Sequence, residues 1–316
     1  MQTKKALYVP LLPLFVFAAL YLSERIDTER LTGSRSAYLS FIIIQFICIL
    51  LPTVFFCKVK GNDYVFRLKF RVFGLEKAVF LLFSVLVMIC AMTAVELGMQ
   101  TLGISGGVFS HSVFSLYGRP MPELGGNIYD TVYTMIVFAV LPAFIEELLF
   151  RSVLYTEYEC CGAPGAVILS ALLYSLLAMD IVSFVPTFIG GLILGFVMYI
   201  TQSVFAVFTV HVLYNLYALF FQEYIWAFIA KPENKVFFVF LLITLLLVVL
   251  IFSLSQAERV IYDKGIRGEK IPDYITVKDG GSRFSGHSVS SVLRALFSPS
   301  YLACLVLFAV QVAGWL

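Results

Sequence analysis

Val236-Phe237-Phe238-Val239-Phe240-Leu241-Leu242-Ile243-Thr244-Leu245-Leu246-Leu247-Val248-Val249-Leu250-Ile251-Phe252-Ser253-Leu254 carries no charge and only two hydroxyls across nineteen residues. As a helix it would rise about 28 Å, close to the roughly 30 Å of a bilayer's hydrocarbon core. A helix packed on a soluble core keeps a polar face; this one has none, so its solvent is lipid. Working outward, apolar runs of the same kind fall at 6–23, 38–57, 78–99, 128–150, 164–183, 185–201, 203–222 and 298–316. The fold class expected is therefore all-α: a polytopic transmembrane bundle of about nine helices, since a helix satisfies its own backbone hydrogen bonds in lipid. Composition agrees, with 60% of the 316 residues hydrophobic and 13% charged, against about 25% charged in a soluble domain. Little chain remains for an aqueous domain. The first run follows Lys4 and Lys5 but is interrupted by Pro10 and Pro13 and followed directly by Glu24 and Arg25, so it reads as a retained span rather than a cleaved signal peptide.

Cytoplasmic loops hold the excess of Lys and Arg. With the N-terminus cytoplasmic, sixteen of the 22 Lys and Arg fall inside and six outside, which makes the nine-span, N-inside arrangement a coherent one. Three regions follow: helices and loops over 1–127, a core over 128–222, and C-terminal helices over 223–316 with a polar cytoplasmic loop at 255–293. That loop is basic and rich in Gly and Ser, as a tether or a headgroup-facing surface would be. The six cysteines lack the spacing of a metal site or a secreted disulfide framework, and the adjacent Cys160 and Cys161 at a membrane face offer at most a palmitoylation site. A net charge of +2 with no Arg-rich stripe excludes nucleic acid as a partner.

Ionisable groups inside a span cost at least about 2.5–3.5 kcal/mol each at mid-helix, so they mark the first places to look for function. Glu96, Asp130 and Asp180 lie toward outer helix ends, where cap or interface roles suffice. The run Leu141-Pro142-Ala143-Phe144-Ile145-Glu146-Glu147-Leu148-Leu149-Phe150-Arg151 is different, for it sets two adjacent acids just before the cytoplasmic face. Glu147 and Arg151, four apart, share a helix face and can pair; Glu146 points about 100° away and faces something else. In the seventh span His211 and Asn215 are also four apart. If that helix enters at Ser203, His211 lies roughly 12 Å deep and Glu146 about 7–8 Å in from Arg151, so the groups reach comparable depths from one side. A carboxylate withdrawn from water works as a general base on a water molecule, and an imidazole or amide can stabilise the oxyanion formed when that water attacks an amide. No His-Glu-x-x-His set is present; Glu146 and His211 are the only plausible ligands for a metal.

At these residues the sequence resembles the CPBP family of intramembrane endopeptidases, the CAAX prenyl protease and bacteriocin-processing or Abi proteins. Its Glu-Glu-x-x-x-Arg motif matches Glu146, Glu147 and Arg151, and its His-x-x-x-Asn motif matches His211 and Asn215, while Gly190-Gly191-Leu192-Ile193-Leu194-Gly195 fits the stretch between. The resemblance covers roughly 128–222. It implies a catalytic set of Glu146, Glu147, Arg151, His211 and Asn215, in which Glu146 activates water, Arg151 orients the acidic pair, and His211 with Asn215 binds the oxyanion. It requires no cofactor, though a divalent metal such as zinc stays open. Partners implied are a peptide or membrane-protein substrate and the lipid bilayer of a bacterial plasma membrane. One departure stands out: the family's second motif places a His four residues after an aromatic residue, and here Tyr174 is followed by Ala178. Asp180 lies about 200° around from that position on a regular helix and substitutes only if the helix breaks. The alternatives are a non-catalytic relative that binds another membrane component through the same bundle and, behind it, a transporter, which would spread polar groups through the membrane rather than gather them near one face.

Overall fold

The computed structural model describes residues 11–24, 36–104, 128–266 and 286–314. They form α1 (Leu11–Glu24), α2 (Phe41–Lys60), α3 (Leu75–Thr101), α4 (Ile128–Cys161), α5 (Ala163–Leu177), α6 (Ile181–Thr201), α7 (Val204–Phe220), α8 (Gln222–Ile229), α9 (Pro232–Ile266), α10 (Gly286–Leu296) and α11 (Pro299–Ala313), with no strand among the described residues. Among the described residues, each of the nine apolar runs is helical over at least part of its length. Five helices, α2, α3, α4, α6 and α9, are long and apolar enough to cross a bilayer alone. The pairs α7–α8 and α10–α11 bend by 53° and 56° and raise the number to seven if each is one crossing, while α1 and α5 are shorter apolar helices. The protein is an integral, multi-pass membrane protein.

Two expected boundaries are redrawn. Residues 255–266 are no loop: α9 runs on for 35 residues, about 52 Å, beyond the thickness of a bilayer. Its polar continuation keeps one face buried through Ser253, Ala257, Val260 and Lys264, spaced four, three and four apart as one helix face requires. Residues 286–293 belong to α10; the rest of the expected loop lies outside the described residues. The expected span 164–183 ends early, because α5 stops at Leu177 and Met179 turns the chain at φ +49°, a left-handed value uncommon for a residue with a side chain. Asp180 then caps α6, accepting the Val182 and Ser183 amides at 3.2 and 2.9 Å and the Ser183 hydroxyl at 2.7 Å.

Three devices hold the centre together. First, α5 and α6 lie almost backbone to backbone: a Cβ on Gly191 would sit 3.0 Å from Ala171 Cβ, and one on Gly195 would sit 2.8 Å from Val167 Cγ1. The small-residue spacing read from the sequence is thus an interhelical contact. Second, the segment after α2 straps the ends of α4 and α7 together. Ser152 donates to the Leu68 carbonyl at 3.1 Å, the Val204 amide to Lys69 at 3.2 Å, the Ser203 hydroxyl to Arg71, and Lys69 pairs with Glu159. Third, the buried Lys264 ammonium bonds the Ile200 and Thr201 carbonyls at 2.8 and 3.1 Å, closing the C-terminal end of α6.

Candidate active site

The helix that carries the two acids is irregular on both sides of them. In α4, π-turns occupy Met135–Val140 and Leu148–Leu154, with α-geometry between them over Leu141–Glu147. Pro142, which has no amide hydrogen, follows the first π-turn. Such turns free carbonyls from the regular ladder and recur at functional sites. Here the Ala139 carbonyl in the first π-turn takes the Asn215 side-chain amide at 3.2 Å, which fixes α7 against α4.

Glu146, Glu147, Arg151, His211 and Asn215 all have no exposed surface and come together between α4 and α7, backed by α5 and α6. Glu147 is the hub. Its Oε1 takes Arg151 Nη1 at 2.9 Å and faces His211 Nδ1 at 2.7 Å. Arg151 Nη2 reaches across to the Gly191 carbonyl at 3.3 Å, so the guanidinium spans α4 and α6. The pairing of Glu147 with Arg151 follows the four-residue spacing; the bond between Glu147 and His211 joins residues 64 apart and has no local signature. Because the oxygen facing His211 already accepts from Arg151, we assign the imidazole proton to Nδ1. The free lone pair then lies on Nε2, which is buried without a partner.

Glu146 has the opposite surroundings. Neither carboxyl oxygen has a hydrogen-bond partner, and its electrostatic neighbours are His211, Tyr174, Glu147 and Arg151. Tyr174 is the residue that sequence reasoning passed over, naming it only as the aromatic of the second motif. Its ring lies under the Arg151 guanidinium at 4.5 Å, edge-on to His211 at 6.3 Å, and against Phe150 at 5.1 Å, and its hydroxyl approaches Glu146 short of hydrogen-bond geometry. Ala178 sits buried at the end of α5 and offers no polar atom. The helix does break beside it, but Asp180 is committed to the α6 cap and does not stand in for the missing histidine.

The other acids lie elsewhere. Glu96, expected at a wet helix end, is buried and accepts from Gln222 Nε2 at 3.3 Å. Asp130 is exposed in the first turn of α4, where a carboxylate complements the helix dipole. His111 lies outside the described residues, as does the side chain of His287. Among the described residues no three His, Cys, Asp or Glu side chains gather as a metal-binding group. A divalent ion would find Glu146 and His211 Nε2, two protein ligands where a catalytic zinc uses three.

An unpartnered buried carboxyl next to an oriented imidazole, both at one helix-lined depth, is what a hydrolytic site needs. Residues 128–217 match the family model for Rce1-like proteins, described as type II CAAX prenyl endopeptidase Rce1-like. This is the CPBP family recognised from the motifs, and both the Glu-Glu and the His-Asn motif lie within the matched residues. The family is one of proteases, and the match covers less than a third of the chain, so the likeness is one of this segment. No curated protein and no solved structure matches the chain.

Proposed function

We infer that the protein is an intramembrane endopeptidase of the CAAX-protease type, hydrolysing a peptide bond near the cytoplasmic leaflet of a bacterial plasma membrane. The observation that carries this reading is the contrast between the two acids: Glu147 is held through Oε1 by both Arg151 and His211, while neither oxygen of the buried Glu146 carboxyl is held in hydrogen-bond geometry. Glu147 and Arg151 set the tautomer of His211, which leaves the buried Nε2 to hold the attacking water with Glu146. Asn215 positions α7 through Ala139 and keeps a second N–H for the oxyanion. The substrate is a peptide or membrane-protein segment presented in lipid.

A second reading rests on Ala178: a bundle that keeps its polar network for packing but has lost its chemistry, and binds a membrane partner instead. One experiment separates the two. Purified protein in lipid is offered a library of membrane peptides, alongside Glu146→Ala, His211→Ala and Ala178→His variants. Cleavage by the wild type that both alanine variants abolish supports the protease. An inert wild type with activity gained only in Ala178→His supports the binding protein and overturns the first reading.

A further inference from the structure

The site as drawn has few donors to spare. When water attacks an amide, the carbonyl oxygen becomes an anion, and stabilising it needs an N–H or O–H aimed at the place where the charge develops. Both Arg151 Nη groups are engaged, with Glu147 and Gly191, leaving its buried Nε–H, and one Asn215 N–H is engaged with Ala139, leaving its second. His211 donates through Nδ1 to Glu147, so in the neutral ring Nε2 presents a lone pair, which repels an anion. Ala178 presents a methyl group.

We propose that the Tyr174 hydroxyl is a catalytic residue of this site, donating the hydrogen bond to the tetrahedral oxyanion that Ala178 cannot supply. The assignment rests on the endopeptidase reading above and on the placement of the tyrosine. Its ring lies under the Arg151 guanidinium and edge-on to His211, and its hydroxyl is among the groups that act on Glu146. Its ring is fixed on three sides, by Arg151 at 4.5 Å, Phe150 at 5.1 Å and His211 at 6.3 Å, so the hydroxyl is aimed before the substrate arrives. In the reaction the water oxygen bonds to the carbonyl carbon as its proton passes to Glu146. The C=O electron pair moves onto oxygen, which accepts from Tyr174 Oη–H. Collapse re-forms C=O and breaks C–N, and the proton held by Glu146 passes to the leaving nitrogen, giving a carboxylic acid and an amine.

Tyr174→Phe tests this, because it keeps the ring and removes only the hydroxyl. In lipid, with a cleaved library peptide as substrate, kcat should fall by about 10²–10³-fold with KM within about threefold, and the unfolding midpoint should stay in place. Ala178→His added to Tyr174→Phe should return part of the lost kcat, which a role in packing alone does not predict. Tyr174→Phe with kcat within about threefold of wild type, while Glu146→Ala is inert, overturns the assignment and leaves the endopeptidase reading intact. A fall in kcat that comes with an unfolding midpoint lower by about 5 °C or more marks the hydroxyl as structural support and also overturns it. A wild type as inert as Glu146→Ala removes both.

Discussion

Glu146 and Glu147 are chemically identical neighbours that the fold treats in opposite ways. Glu147 pairs with Arg151 and faces His211 Nδ1 through the same oxygen, whereas neither oxygen of the buried Glu146 is held in hydrogen-bond geometry. Removing one member of a buried ion pair strands the other, and this typically costs about 3–5 kcal/mol. Removing an unpaired buried polar group relieves a desolvation penalty of about 1–3 kcal/mol. Glu147→Ala should therefore destabilise the protein by about 3–5 kcal/mol, and Glu146→Ala should be neutral or stabilising, while both abolish peptide cleavage. Unfolding and cleavage assays on the two variants in one detergent check this. Equal stability losses would show that Glu146 is held by the same network and is not poised for chemistry. Stability given up at a reactive group is the usual signature of a functional site.

At the scale of helices, the site depends on how closely α5 and α6 approach. Gly191 brings the α6 backbone within reach of Arg151 through its carbonyl, and a methyl there would meet Ala171 Cβ at 3.0 Å and Tyr174 Cδ1 at 3.3 Å. Gly191→Ala should therefore push α5 and α6 apart, cost about 1–3 kcal/mol and lower kcat by moving Tyr174 and the carbonyl that fixes Arg151. Gly98→Ala in α3 is its control: a Cβ there has nothing within 4 Å, so helix propensity alone applies and stability should hold or rise by up to about 1 kcal/mol. If both variants behave alike, close packing is not what fixes the site. The Glu147–Arg151 pair, the His211–Asn215 face and the glycine contact were all legible in the sequence, because each rests on a spacing of four within one helix. The Glu147–His211 bond, the Asn215–Ala139 bond and the role of the Tyr174 ring were not, because they depend on which faces of different helices meet. The break after Leu177 was hidden for another reason: Ala178-Met179-Asp180 gives no Gly or Pro signal, and Met179 adopts a left-handed backbone that its residue type does not announce.

For the whole molecule, hydropathy identifies a multi-pass bundle but leaves its orientation to the distribution of charge. Hydropathy also misjudged the C-terminal end of α9, because a polar helix with one buried face reads as a loop when composition is averaged over all its faces. An N-inside arrangement, the one the Lys and Arg distribution favours, would put the end of α4 on the cytoplasmic side. The native cysteines test this without any new residue. Cys160 is exposed at that end, Cys57 is half-buried, and Cys48, Cys90, Cys161 and Cys304 are buried. A membrane-impermeant maleimide should leave Cys160 unmodified in intact cells and modify it once the membrane is permeabilised or presented as inverted vesicles, and Cys160→Ser should abolish the signal. Labelling in intact cells would put the inner ends of α4 and α7 outside. The strap that ties them to the segment between α2 and α3 would then carry the site to the opposite face, and a substrate would have to reach Glu146 from beyond the cell rather than from the cytosol.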